Sequence, residues 1–172
     1  MTTERLTESV ADYVAKKLRS KPVDNIVGEP TIETYNHLEY QLAIAASSAK
    51  TTLWGEKHGH LALMVTDTKY RTITSKNTLN TKKEDKPANV DPTIDGNTSA
   101  FQQVKMQKAW DVSIQAYEMQ EEVDETLKDL IEEAVDDEYI NEHYKEYVGY
   151  SGETAKTLMK HIKDKWCKIT TL

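Results

Sequence analysis

The stretch Ala43-Ile44-Ala45-Ala46-Ser47-Ser48-Ala49, followed by Trp54-Gly55-Glu56-Lys57-His58-Gly59-His60-Leu61-Ala62-Leu63, decides how this chain folds. The first part is built of small side chains, which let a neighbouring element approach a helix closely, so it reads as a buried packing face. The second part sets two glycines, two histidines and a tryptophan in one short loop with no catalytic frame around them. With Gly28-Glu29-Pro30-Thr31 upstream and Tyr70 downstream, it describes a rigid, chemically inert corner between helices.

Upstream of the corner, Tyr35, Leu38, Leu42, Ala45 or Ala46, and Ala49 form one helical stripe. That helix opens around Pro30-Thr31, where a proline is tolerated and Glu33 suits the dipole. Leu6, Val10, Tyr13, Val14 and Leu18 predict an earlier helix over 4–19, with Lys16, Lys17 and Arg19 at its C-terminus and Pro22 ending it. Downstream, Leu61–Val65 is apolar throughout and fits a strand or a buried helix; a short helix over 60–73 is the favoured reading. Residues 75–97 are rich in Lys, Asn, Thr, Asp and Pro, and predict a long, exposed, mobile loop.

Ser99 and Gln102 have capping-box spacing, and Trp110, Ile114 and Tyr117 follow on one helical face. Val123, Leu127, Leu130, Ile131, Ala134 and Val135 make a second stripe, rotated by roughly 100°. One helix cannot aim both stripes at one core, so breaks are expected near 121–124 and 136–138. Tyr139, Ile140, Tyr144 and Tyr147 then predict a short helix ending by Gly149, and Ser151-Gly152-Glu153 opens a last helix carrying Leu158, Met159, Ile162 and Trp166. The sum is an all-α chain: one compact bundle of six to seven helices over 1–172, with 1–22 as an N-terminal extension helix.

Charge narrows the function classes. Residues 1–86 hold 13 basic and 11 acidic side chains, whereas 87–172 hold 9 and 18, for a net charge of −7. Nucleic-acid binders present a basic face, and here only Lys82, Lys83 and Lys86 cluster, beside Glu84 and Asp85, which argues against direct nucleic-acid binding. No apolar run approaches the roughly 20 residues of a membrane span. The start lacks a signal-peptide core, and the single cysteine, Cys167, rules out an internal disulfide; both lead to the expectation of a cytoplasmic protein.

No catalytic, cofactor or metal site emerges. His58 and His60 are two apart, whereas the zincin pair is four apart on a helix, and Glu56, Asp67 or His37 would have to complete a shell that no spacing demands. The simpler expectation is that both histidines hydrogen-bond backbone carbonyls in a tight turn, with Gly55 and Gly59 in unusual conformations. Cys167 has only His161 nearby, on another helix face, and reads as a half-buried structural thiol. The acidic runs at 121–125 and 132–138 lack the glycine and alternation of a calcium loop and read as solvated helix faces.

The succession Val23-Asp24-Asn25-Ile26-Val27-Gly28-Glu29-Pro30-Thr31, Leu38-Glu39-Tyr40-Gln41-Leu42, Trp54 to Leu61 and Tyr70 resembles the N-terminal Gag region of copia-type LTR retrotransposons, in particular those of diatoms and other protists. Val123–Val135 with Asp136 to Ile140, and Thr157 to Trp166 with Ile169-Thr170, extend the resemblance over about 23–171 in order. It departs from the family pattern at Trp54, Lys57 and Ala62, where glycines or small residues are usual, and no Cys-x-x-Cys-x4-His-x4-Cys knuckle or protease Asp-Thr/Ser-Gly is present. The resemblance implies a capsid N-terminal-domain-like structural protein of a retroelement shell, without catalysis. Its partners would be copies of itself and a second capsid domain of the same polyprotein. The candidate interface residues are Trp54, His58, His60, Tyr139, Tyr144, Tyr147 and Tyr150, with Trp54 expected on the surface of its loop; each could equally serve the core. A free-standing or domesticated helical adaptor that binds one protein partner is the alternative.

Overall fold

A computed structural model describes residues 8–55, 57–75, 83–87 and 99–167. Among these residues there is no strand, and five α-helices appear: α1 (Val10–Arg19), α2 (Ile32–Ser48), α3 (Asp67–Thr74), α4 (Ala100–Ala134) and α5 (Ala155–Trp166). Single 3-10 turns lie at Leu53–Gly55, Leu61–Leu63, Asp137–Tyr139 and Asn141–His143. The described residues are all-α as expected, with fewer α-helices than six to seven.

Local chemistry fixes the helix starts. Each of the five helices begins on a Ser or Thr whose hydroxyl accepts the backbone N–H three residues on: Ser9, Thr31, Thr66, Ser99 and Thr154. Ser99 and Gln102 form the expected capping box, and Thr31 forms another with Thr34. Ser9 makes α1 begin at Val10, so the predicted start at 4 fails for residues 8 and 9; residues 1–7 lie outside the described ones. The predicted 60–73 helix is split by Thr66, which caps α3 after the 3-10 turn at Leu61–Leu63. The last helix starts at Thr154 instead of Ser151, because Gly152 turns the chain with φ +89° first.

The C-terminal half of α4 is the spine. Val123, Leu127, Leu130, Ile131 and Ala134 are buried against Val14 and Leu18 of α1, Leu38, Leu42 and Ala45 of α2, and Leu158 and Ile162 of α5. Removing one such side chain, as in Leu127→Ala, costs about 3 kcal/mol in transfer and cavity terms. The helix ends where Val135 turns extended and the Ile26 N–H closes the Ala134 carbonyl at 2.7 Å. Asp136, Asp137 and Glu138 follow, charges that a helix C-terminus disfavours.

Three expectations need correction. No break occurs at 121–124: α4 runs continuously through it. The phase shift is real, but Trp110, Ile114 and Tyr117 of the first stripe are only half-buried, so both stripes need not face one core. The predicted 139–147 helix is instead two 3-10 turns and a tight turn closed by an antiparallel bridge between Lys145 and Gly149. Of the predicted mobile 75–97 loop, 76–82 and 88–97 lie outside the described residues, but 83–87 is anchored. The fully buried Gln120 amide accepts from the Glu84 N–H at 2.8 Å and donates to the Glu84 carbonyl at 2.9 Å, pinning that segment to α4.

Gly59 and Gly28 both have positive φ but face different surroundings. A Cβ at Gly59 would come within 2.3 Å of the Ser47 carbonyl oxygen and 2.7 Å of that of Ala49, whereas one at Gly28 meets nothing within 4 Å. Gly59→Ala is therefore expected to destabilise by about 3 kcal/mol or more, and Gly28→Ala by about 1 kcal/mol, in urea unfolding. Equal losses would show that the corner does not depend on this close approach.

Candidate functional site

The corner at 54–60 closes the end of α2. The last carbonyls of a helix lack intrahelical donors. Here the His60 N–H donates to the Ala46 carbonyl at 3.0 Å, and His60 Nδ1–H donates to that of Ala49 at 2.7 Å. The Ser47 and Ser48 hydroxyls turn back onto the Ile44 and Ala45 carbonyls. Trp54 sits in the left-handed region with φ +51°, and its carbonyl accepts from the Tyr70 hydroxyl at 3.3 Å. The unusual conformations fall on Trp54 and Gly59.

The indole of Trp54 meets His60 edge-on at 5.8 Å, and His58 meets Tyr70 edge-on at 6.3 Å. Trp54 is 6% exposed and His60 fully buried, so the expected surface position of Trp54 is wrong. Its loop folds inward and the ring becomes core. Burial pushes the His60 imidazole down to about 4, outweighing its bond to Ala49, so the ring is neutral at pH 7. Nδ1 then carries the proton, and Nε2, an acceptor, makes no hydrogen bond; nor does the buried Trp54 Nε1. Among the described residues no three His, Cys, Asp or Glu side chains come together to hold a metal.

A cleft of about 580 Å³ opens beside this corner, between Leu63, Lys83, Tyr117, Glu121, Asp124 and Lys156. Asp124, 2% exposed, accepts the Ala155 N–H at 3.1 Å and thereby fills the N-terminus of α5 with its own carboxylate. Lys83 Nζ lies 2.9 Å from Glu121 and 3.4 Å from Asp124. Burial raises the Asp124 carboxyl, opposed by the Ala155 N–H, Lys83 and Lys128. Burial alone would lower Lys83, but Glu121 and Asp124 outweigh it and hold it above its usual value. Lys128 bridges Glu125 at 2.6 Å and the Tyr150 carbonyl at 3.4 Å. These groups are spent on one another, so the cleft is a polar seam joining α4, α5 and the 83–87 segment.

The four tyrosines divide. Tyr150 is buried and Tyr139 half-buried, edge-on to Trp166 at 4.9 Å, with Trp166 Nε1 donating to the Tyr139 carbonyl. Tyr144 and Tyr147 are 58% and 96% exposed. Trp54, His58 and His60 thus belong to one corner and the tyrosines to another segment. Of the seven candidates, Trp54, His60 and Tyr150 lie in the core. Cys167 is buried, and burial raises its thiol.

Sequence reasoning missed a group of exposed apolar side chains on α4. Phe101, Val104, Met106 and Val112 are exposed, and no side chain of α4 before Gln120 is fully buried. The signal is the spacing of Phe101, Val104 and Val112, which share one helical face away from the stripe of Trp110, Ile114 and Tyr117.

Two measurements test these roles. The depressed His60 binds its proton less readily folded than unfolded, so its contribution is complete above pH 6.5 and falls as pH drops toward about 4. The loss amounts to about 3 kcal/mol in urea unfolding, and a His60→Gln variant should lack that component of the pH slope. Asp124→Ala strands the Ala155 N–H and the facing ammonium groups and should cost about 3 kcal/mol, whereas Asp124→Asn keeps an acceptor and should cost less. Equal costs for the two would refute the hydrogen-bond role. No helix among the described residues is long and apolar enough to cross a membrane. Compared with protein-family models, curated proteins and solved structures, the chain finds no match.

Proposed function

We propose that this chain is a Gag-like capsid subunit of an LTR retroelement, a non-catalytic structural protein that works by associating with copies of itself. The observation that carries this reading is the first 20 residues of α4, Ala100–Met119. They span roughly 30 Å of helix without one fully buried side chain, while exposing Phe101, Val104, Met106 and Val112. Phe101, Val104 and Val112 share one face of the helix, and apolar side chains exposed together on one face mark an interaction site.

The resemblance to copia-type Gag supports the same reading. Its most distinctive piece, His58-Gly59-His60-Leu61, serves helix closure here, as a structural subunit requires. Shell contacts are individually modest and gain strength by repetition, so the exposed face of α4 needs only a modest complementary surface on the next copy.

Sedimentation velocity from about 10 μM to about 1 mM should show a weight-average mass rising with concentration, as micromolar-to-millimolar contacts require. Phe101→Ser with Val104→Ser should weaken association at least about tenfold while leaving unfolding nearly unchanged, since both side chains are solvated in the monomer. A strict monomer over this range overturns the reading and leaves the same surface to a partner of different sequence, as in a helical adaptor.

A further inference from the structure

Two features of the surface are complementary to each other and lie on opposite sides of α4. The first is the tight turn Lys145-Glu146-Tyr147-Val148-Gly149. Tyr147 occupies the left-handed region with φ +71°, where a non-glycine residue is strained, and it is 96% exposed, so it gives nothing back to its own fold. Val148 beside it is 55% exposed. The second is a groove of about 390 Å³ between Lys50-Thr51-Thr52 and the α4 residues Val112, Ala116 and Met119, floored by apolar side chains.

Charge matches the two. Residues 136–148 carry five acidic side chains and one lysine, with Glu146 exposed in the turn itself. The groove has Lys50 at its rim. Lys108 stands one turn from Val112 on the same face of α4. Lys17 is brought close by the Ser48 bond to its carbonyl and the Lys50 N–H bond to Tyr13.

We infer that the groove of one copy receives the Tyr147 turn of a second copy, in a head-to-tail contact. This rests on the self-association proposed above and specifies how it is made. The Tyr150 carbonyl is tied to Lys128, placing the turn's end of the segment near that level of α4. Position 128 is rotated by roughly 120–180° and displaced by roughly 14–24 Å from positions 112, 116 and 119. A two-fold pair would have to close both contacts at once, which such opposed patches prevent. A head-to-tail contact propagates and closes into a ring when its rotation allows.

The test uses two variants of the whole chain, Tyr147→Gly, which removes the ring and relieves the backbone, and Val112→Glu, which places a like charge in the groove at an exposed position. Circular dichroism and urea unfolding establish that both fold. Each alone should associate at least about 30-fold more weakly than the unaltered chain. Mixed in equal amounts they should form a 1:1 dimer of near-unaltered affinity and nothing larger, because one retains the turn and the other the groove. If the unaltered chain associates and the variants associate equally well, the contact lies elsewhere and only this inference falls. If the variants are weakened but the mixture is not restored, the contact is not head-to-tail and the inference also falls. A monomeric unaltered chain overturns both the inference and the function on which it rests.

Discussion

The bond from the His60 imidazole to the Ala49 carbonyl is the constraint around which the first half of the structure is arranged. A helix ending in the protein interior must dispose of carbonyls that no longer have donors. The end of α2 does so partly with its own serines, but Ala46 and Ala49 are served only because the chain returns eleven residues later. The return fits only if position 59 lacks a Cβ, and it drives the Trp54 ring and the Leu61–Val65 segment inward against α2. Burial then keeps the imidazole neutral, so that Nδ1–H is the donor and the ring carries no charge into the core. Of the two histidines that look most like ligands, His60 is therefore tied up in closing α2, while the His58 ring stands edge-on to Tyr70.

The second half depends on a polar clamp in place of a cap. Asp124 and Gln120 are buried on α4, and each holds main chain from a different segment: Asp124 the start of α5, Gln120 the middle of 83–87. Buried polar groups of this kind stabilise little relative to well-packed apolar ones, since desolvation offsets most of the gain. Their value is positional. An apolar side chain at 124 would pack under α5 in several registers, whereas a carboxylate accepting the Ala155 N–H accepts one. The same clamp keeps the α5 N-terminus from binding anions, because the carboxylate already stands there.

What could be read from the sequence follows the range of the interactions. The cap at Ser99 acts over three residues, so its spacing to Gln102 located it, whereas Pro30-Thr31 marked only the start of α2 and not the Thr31–Thr34 box. The buried stripe from Val123 to Ala134 was legible because period and burial coincide there. The break at 121–124 was misplaced for a physical reason: a phase shift in the apolar pattern has two solutions, a bend or a helix that outgrows its core, and periodicity does not distinguish them. The tyrosines at 139, 144 and 147 have helical spacing by coincidence, while the Lys145–Gly149 bridge shows a turn whose geometry depends on Tyr147 tolerating a positive φ. The burial of Trp54 was hidden because it is settled by α2 and Tyr70, both remote in sequence.

The division between the two halves of α4 gives the fold its logic. From Gln120 on, the helix buries an apolar face; before it, the same helix carries Phe101, Val104, Met106 and Val112 into solvent. Free energy explains why such a surface sits on a helix continuous with the spine. A separate docking helix would have to be ordered at the moment of contact, at a cost of about 1 kcal/mol or more per residue. A helix already nucleated by packed turns downstream extends with little further entropy to lose, since propagation is far easier than nucleation. The buried half therefore prepays the ordering of the exposed half. The corner that closes α2 bears on the same surface, because Lys50 to Thr52, the wall opposite Val112 and Met119, is held in place by that closure immediately before it. A surface built this way can be weak in each contact and still be fixed in direction, which is what the proposed self-association demands.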